Sequence, residues 1–244
     1  MSRTARIIGT SGIYHVMMRG INRQPIFTDA RDRSRFLEIL KDCREVSNYE
    51  LYAYCLMNNH LHLLIRANSE PLSALVKRIG TRYAVWYNKL HDRSGHLFQD
   101  RFKSKPVDND SYFLTVLHYI LYNPVKDGLC ANAAEYYWSS ARDYFYGGGI
   151  TDTSFAEKLL SRPELIDFLS RPCDSSCLDD TPKRVTDRQA VQIIRSITGL
   201  QPQDFARLED AQLKAVIPIL CEKGISTRQL SRLSGMSIGI LRKY

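Results

Sequence analysis

The 244-residue sequence predicts an α+β domain followed by an all-α one, on three observations. Strand-like and helix-like stretches run strand, helix, strand, strand, helix, strand through residue 107, the order of a ferredoxin-like antiparallel sheet with packed helices. A third amphipathic helix follows, and beyond Trp138 the patterning weakens into a Gly147–Gly149 run and a Ser/Asp-rich stretch, Pro172–Pro182. From near Asp187 onward the periodicity is helical only, with spacings that suit a helix-turn-helix-like module.

At Ile13–Arg19, Tyr14, Val16 and Met18 alternate with Ile13, His15 and Met17, which predicts a strand. Asp29 is a suitable N-cap for a helix to about Ser47 that buries Phe36, Leu37, Leu40 and Cys43. Glu50–Met57 and His60–Arg66 read as strands around Asn58-Asn59, a pair that tolerates positive φ in a tight turn. Pro71 opens a second helix with Leu72, Leu75, Ile79, Tyr83, Trp86 and Leu90 at helical spacing. Arg101–Val107 is the fourth expected strand, with Arg101, Lys103 and Lys105 on one face. The third helix, capped by Asp110 or Ser111, is expected to stop before Pro124. At the C-terminus, Leu213–Lys223, Ser226–Leu233 and Ser237–Lys243 read as three helices, with Gly224 and Gly235 at the turns.

Composition narrows the function classes. The chain is 44% hydrophobic and 25% charged, fitting a soluble globular protein. No apolar run approaches the roughly 20 residues of a membrane span, and Met1–Ile13 lacks a signal-peptide core. The six cysteines show no disulfide framework, and only Cys173 and Cys177 lie close, without the second pair of a zinc site. A reduced, cytoplasmic protein is the expectation. The net charge of +8 is unevenly spread: residues 1–105 hold 18 Lys/Arg against 9 Asp/Glu, residues 106–182 hold 5 against 12, and residues 183–244 hold 11 against 5. Two basic blocks around an acidic one suit a polyanionic partner, although a solvated surface has the same composition.

The strongest local signal is Asn59-His60-Leu61-His62-Leu63-Leu64. On a strand, His60 and His62 project from the same face and can share a divalent ion. A histidine-triad hydrolase would need a third alternating histidine where Leu64 stands, and the repeated His-x-Thr pairs of two-histidine phosphoesterases are absent. On the third helix, Phe113, Leu114, Leu117, Ile120 and Leu121 form the expected core face. Tyr112, Thr115, Tyr119 and Asn123 lie opposite. Tyr119 and Asn123 are i, i+4 neighbours, so a phenol that could attack a phosphodiester and a carboxamide that could ligate a metal can share one site. Tyr122 is a competing nucleophile about 300° round the helical wheel. Arg78, Arg82 and Lys89 share a stripe of the second helix that could track a nucleic-acid backbone, with Tyr83 or Tyr87 stacking on bases. The remaining histidines, His15, His91, His96 and His118, read as structural or surface groups.

His60-Leu61-His62, followed by Tyr119-Ile120-Leu121-Tyr122-Asn123-Pro124-Val125-Lys126-Asp127-Gly128-Leu129, resembles the HUH single-tyrosine transposases, and more narrowly the REP-associated tyrosine transposases. Tyr14-His15-Val16-Met17-Met18-Arg19-Gly20, Gly95–Lys103 and Trp138-Ser139-Ser140 extend the resemblance over about residues 8–146. It implies that His60, His62 and Asn123 hold Mg²⁺ or Mn²⁺, and that Tyr119 attacks single-stranded DNA to leave a 5′-phosphotyrosine and a free 3′-hydroxyl. It further implies a catalytic domain at 1–146, a helical or looped linker region at 147–186 and a helical, helix-turn-helix-like DNA-binding domain at 187–244. DNA contacts are expected from Arg19, Arg78, Arg82, Lys89, Arg101, Lys103 and Lys105, and from Arg228 and Arg232 in the C-terminal module. The expected partner is single-stranded or hairpin DNA, with duplex DNA for the last domain, bound by a monomer or homodimer in the nucleoid. A non-cleaving, domesticated hairpin-binding protein is the alternative.

Overall fold

Four antiparallel strands, β1 (Ile13–Arg19), β2 (Glu50–Leu56), β3 (His60–Arg66) and β4 (Lys103–Pro106), form one sheet in the order β2-β3-β1-β4. The computed structural model describes residues 9–99, 101–173, 185–241 and 243, in two units, Met1–Leu178 and Asp179–Tyr244. Cys177, most of the expected loop at 172–182, residues 1–8 of the N-terminal stretch, Asp100 and Arg242 lie outside the described residues.

The pleat sorts side chains into two cores. Tyr14, Val16 and Met18 of β1 and Leu61, Leu63 and Ile65 of β3 meet α1 (Ala30–Ser47) and α2 (Leu72–Leu90) in one buried cluster. Burying each of these leucine or isoleucine side chains is worth about 1.5–3 kcal/mol, so three on the β3 face strongly oppose any one-residue slip of register. The alternate residues Ile13 and Leu64 join a second cluster with α3 (Asp110–Lys126) on the opposite face. A register irregularity between Leu51 and Ala53 of β2 turns Tyr52 to that second side, where its ring packs on Phe113 and Phe155.

Local chemistry explains the element ends. The Asp29 side chain accepts from the Asp32 amide at 3.0 Å and caps α1 as expected, and Asn48 in the left-handed region ends it. The Asn58-Asn59 turn differs from expectation, since neither residue has positive φ. Neighbouring loops hold it instead: the Asn58 carbonyl accepts from the Ile26 and Phe27 amides, and its side-chain oxygen accepts from Arg33 at 2.6 Å. β4 is shorter than Arg101–Val107, and Arg101 is exposed before it. α3 is capped by Asn109, whose side chain accepts from the Tyr112 amide at 2.8 Å, rather than by Asp110 or Ser111. It also runs through Pro124 to Lys126. Proline removes one N–H from the ladder, a loss that is tolerable in a final turn already near the helix end.

Within the weakly patterned stretch beyond Trp138 and the helical or looped linker region expected at 147–186, the chain forms α4 (Ala141–Tyr146), α5 (Ser154–Leu159) and α6 (Arg162–Ser170). Ala141, Tyr144, Ala156, Leu165 and Leu169 are buried in the second core. These helices have few apolar positions each, so no single one shows a clear period. Trp138-Ser139-Ser140 closes the outer edge of β2: the Leu56 amide donates to the Trp138 carbonyl at 2.9 Å, and the Ser140 amide to the Tyr54 carbonyl at 3.0 Å. Among the described residues no helix is long and apolar enough to cross a membrane.

The second unit contains α7 (Asp187–Thr198), α8 (Asp210–Glu222), α9 (Thr227–Ser234) and α10 (Ile238–Leu241) around Ile194, Phe205, Ile217, Leu220, Leu230 and Leu241. Ser226 caps α9 through the Gln229 amide, and Gly235, at φ 76°, ends it. α10 is a single short turn rather than a helix over 237–243.

Asp32 offers a direct test of the first core. Its buried carboxylate accepts from the Thr28 amide and hydroxyl and pairs with His91 at 2.8 Å. Burial pushes its pKa upward, but the hydrogen bonds from Thr28 and His91 prevail and hold it below the ordinary carboxylate value. Its contribution should therefore be complete above the unfolded pKa of about 3.9 and vanish as the pH falls through the lower folded value. Asp32→Asn should destabilise the protein by about 1–3 kcal/mol at pH 7, with the gap from wild type narrowing below pH ~4. Urea unfolding from pH 3 to 7 checks this; a gap independent of pH contradicts it.

Candidate active site

The alternation that sends Leu61 and Leu63 into the first core places His60 and His62 on the α3 side of the sheet. Across the β1–β3 pair, His62 stands opposite Met17 and His60 opposite Arg19, so these four share that face. His62 is 0% exposed and His60 is buried, with their ring centroids 5.1 Å apart. α3 lays Tyr119 over them: its ring is 5.7 Å from that of His62 in an edge-to-face contact. Asn123, one turn later, donates from Nδ2 to the Tyr119 carbonyl at 3.0 Å. The structure thus brings Tyr119 beside the histidines and keeps Asn123 on the same turn of α3.

Tyr119 is 1% exposed and Asn123 2%, so both are covered rather than open to solvent, and the Tyr119 ring meets the sheet. The expected apolar face is buried too, because Phe113 and Leu117 pack in the second core with residues of α5 and α6. Sequence periodicity assigned one buried face to a helix that has two. Tyr122 diverges from Tyr119: its ring lies 5.7 Å from that of His118, which in turn packs on Phe168 of α6 at 4.7 Å. Burial holds the His118 imidazole below its ordinary pKa, against a hydrogen bond with the Arg171 carbonyl that works the other way.

His15, read as a structural or surface group, is buried and belongs to this cluster. It is 0% exposed, its Nε2 is 2.9 Å from His62 Nδ1, and its ring is 5.8 Å from that of Tyr119. The signal was present in the alternation of β1, which puts His15 on the face opposite Val16; what was missing was the register that sets β1 beside β3.

The donor chemistry suits a divalent metal. His60 Nδ1 lies 2.8 Å from Asn59 Oδ1, while Asn59 Nδ2 donates to the Arg23 carbonyl at 3.2 Å. The latter bond orients the amide so that its oxygen faces His60 Nδ1 and can accept from it, which leaves Nε2 as the ring nitrogen that could hold a metal. Asn123, with Nδ2 engaged, presents its carboxamide oxygen as the remaining donor atom. Among the described residues no group of three His, Cys, Asp or Glu side chains is arranged to hold a metal, so a complete set needs a donor of another type, such as Asn123. Gly20 supports the turn: its amide donates to the Asn59 carbonyl at 2.8 Å, and a Cβ there would collide with the Gln24 carbonyl.

The basic residues separate into groups. Arg19 lies opposite His60 and is half-buried; Lys103 stands opposite Met17 and Lys105 opposite His15, both exposed. Lys105 Nζ sits 4.6 Å above the Tyr112 ring, and Lys126 Nζ 5.4 Å above the Tyr119 ring. The α2 stripe is elsewhere, in the layer on the far side of the sheet. There Arg78 bonds Glu70 at 3.0 Å and Ser47, and Arg82 bonds Asp42 at 2.6 Å, while Lys89 is exposed. Tyr83 and Tyr87, considered for base stacking, are buried and donate to the Ile26 and Pro25 carbonyls at 2.6 and 3.3 Å. In the second unit Arg228 is exposed, whereas Arg232 pairs with Asp187.

Residues 10–123 match the family model described as "Transposase IS200 like". This match covers just under half of the chain and marks that part as similar to the IS200-like transposases. The matched segment runs from just before β1 to Asn123 and so contains every residue of the histidine–tyrosine cluster. The chain is similar in fold to a REP-associated tyrosine transposase solved bound to a REP hairpin, at TM-score 0.51 and 18% identity over 62% of this chain and 94% of that one. A structure described as a transposase from Deinococcus radiodurans R1 is similar at TM-score 0.36 and 19% identity, over 49% of this chain and 95% of that one. No curated protein matches the sequence.

Proposed function

We propose that this chain is an IS200-like transposase, a metal-dependent endonuclease and strand transferase for single-stranded, hairpin-forming DNA, with Tyr119 as nucleophile and His60, His62 and Asn123 as metal ligands. The observation that carries the reading is the meeting of Tyr119 with His62 at 5.7 Å between rings, on the sheet face that also holds His60. Tyr122 faces the His118 and Phe168 side and is the weaker candidate. The similar REP-associated transposase was solved on a hairpin, which favours hairpin DNA as the substrate here.

Mg²⁺ or Mn²⁺, when bound, neutralises charge on the attacked phosphate. The chain itself supplies the nucleophile and its placement. Tyr119 Oη loses its proton and bonds to phosphorus, the P–O3′ bond breaks, and the departing oxygen takes up a proton as a 3′-hydroxyl. The 5′ side stays esterified to Tyr119, so attack by another 3′-hydroxyl can reverse the step and join strands. Because Tyr119 is sealed from solvent, substrate access requires displacement of the side chains around it. Lys103 and Lys105, exposed on the histidine face, and Arg19 and Arg101 nearby are the backbone contacts that fit this site. Arg78 and Arg82 are committed to acidic partners across the sheet. For the helical second unit, a helix-turn-helix-like duplex contact through Arg228 is the corresponding proposal.

Incubation with hairpin-bearing single strands and Mn²⁺ should give a covalent protein–DNA adduct that maps to Tyr119. Tyr119→Phe keeps the ring and should abolish the adduct while retaining DNA binding; Tyr122→Phe should still form it. An adduct on Tyr122 overturns the assignment, and hairpin binding without any adduct in wild type identifies a non-cleaving binder instead.

The charge placement gives a second test. Lys103→Ala and Lys105→Ala should each reduce the salt slope of single-strand binding by about 0.7, whereas Arg78→Ala should leave it unchanged. Arg228→Ala should weaken duplex binding alone. Equal slopes for all variants would place the backbone contacts elsewhere.

A further inference from the structure

His15 lies on β1 opposite Leu64 of β3, one side-chain step along the same face from the Met17–His62 pair. Such diagonal neighbours in an antiparallel pair are within reach of long or aromatic side chains. The reach is realised here: His15 Nε2 is 2.9 Å from His62 Nδ1, and neither residue is exposed to water. The His15 ring is also in edge contact with Tyr119, so one side chain touches both the second histidine of β3 and the tyrosine of α3.

We propose that His15 is a positioning residue that fixes His62 in its metal-ligating tautomer, an inference that rests on the metal reading above. A neutral imidazole has one proton for two nitrogens, and only the unprotonated nitrogen can ligate a metal. With Nδ1 of His62 turned to His15, the nitrogen left to face a metal is Nε2. Nε2 has a lone pair only if Nδ1 keeps the proton and donates it to His15 Nε2. His15 then carries its own proton on Nδ1. The opposite polarity, with His15 as donor, would protonate His62 at Nε2 and close that nitrogen to the metal.

His60 is held in the same way by a different partner, since Asn59 Oδ1 can only accept from its Nδ1. The two histidines would thus be set by separate acceptors, one from the hairpin turn and one from the neighbouring strand. Hydrogen-bond partners of this kind orient metal-ligating histidines and commonly change metal affinity about 10- to 100-fold when removed. The edge contact with Tyr119 adds a packing role, because loss of the His15 ring would leave space beside the phenol.

The full-length protein allows both the tautomer and its consequence to be read. Long-range ¹⁵N–¹H correlation spectra of the metal-free protein should show His62 protonated at Nδ1; protonation at Nε2 overturns the proposal. Mn²⁺ binding, followed by electron paramagnetic resonance, should weaken about 10- to 100-fold in His15→Phe, which keeps an aromatic ring but has no acceptor. His15→Gln restores an acceptor oxygen near the position of Nε2 and should stay within about threefold of wild type, a rescue that a purely packing role would not produce. His62→Ala separates the two levels of the argument. If it binds Mn²⁺ as tightly as wild type, the metal reading itself fails. If it weakens binding while His15→Phe does not, the metal reading stands and the role of His15 is lost. Should His15→Phe fail to fold, the wild-type tautomer still decides.

Discussion

The register of β3 between its neighbours is the constraint on which the site depends. Leu61, Leu63 and Ile65 can be buried against α1 and α2 in only one phase of the pleat, and that phase sends His60 and His62 to the other face. A slip of one residue would expose the core of one layer and bury two imidazoles in an apolar one, at a cost of several kcal/mol. The position of the histidines is therefore held by residues buried in the core on the opposite face of the sheet. The same register sets His15, Arg19, Lys103 and Lys105 around them, because β1 pairs with β3 on one side and β4 on the other.

α3 completes the site by being buried twice. Its Phe113 and Leu117 pack in the core shared with α5 and α6, while Tyr119 lies against the histidines and Asn123 is buried one turn later. A helix anchored on one side only could rotate by part of a turn and carry Tyr119 away. The helices at 141–170, which lack a clear period of their own, remove that freedom. Closure of the β2 edge by Trp138-Ser139-Ser140 belongs to the same scaffold, since it fixes the strand that pairs with β3 on its outer side.

Much of this was legible from sequence. The strand and helix order, the N-cap at Asp29, the span of β3 and the shared face of His60 and His62 all follow from local periodicity and capping chemistry. What was not legible depended on pairing between distant segments. His15 became part of the cluster only through the β1–β3 register, and the bonds of Arg78 to Ser47 and of Arg82 to Asp42 became visible only once α1 was set beside α2. Likewise, the exit of α3 through Pro124 and the second buried face of that helix depend on residues far away in the chain. A single helical wheel cannot report a helix covered on both sides.

We propose that the register-fixed pair of imidazoles, with the tyrosine and carboxamide on one turn of α3, forms a metal site. Anomalous diffraction at the manganese edge, from crystals soaked in Mn²⁺, tests that most directly. A single peak should lie about 2–2.3 Å from His60 Nε2, His62 Nε2 and Asn123 Oδ1. A peak held by other residues, or none at saturating Mn²⁺, would contradict the account.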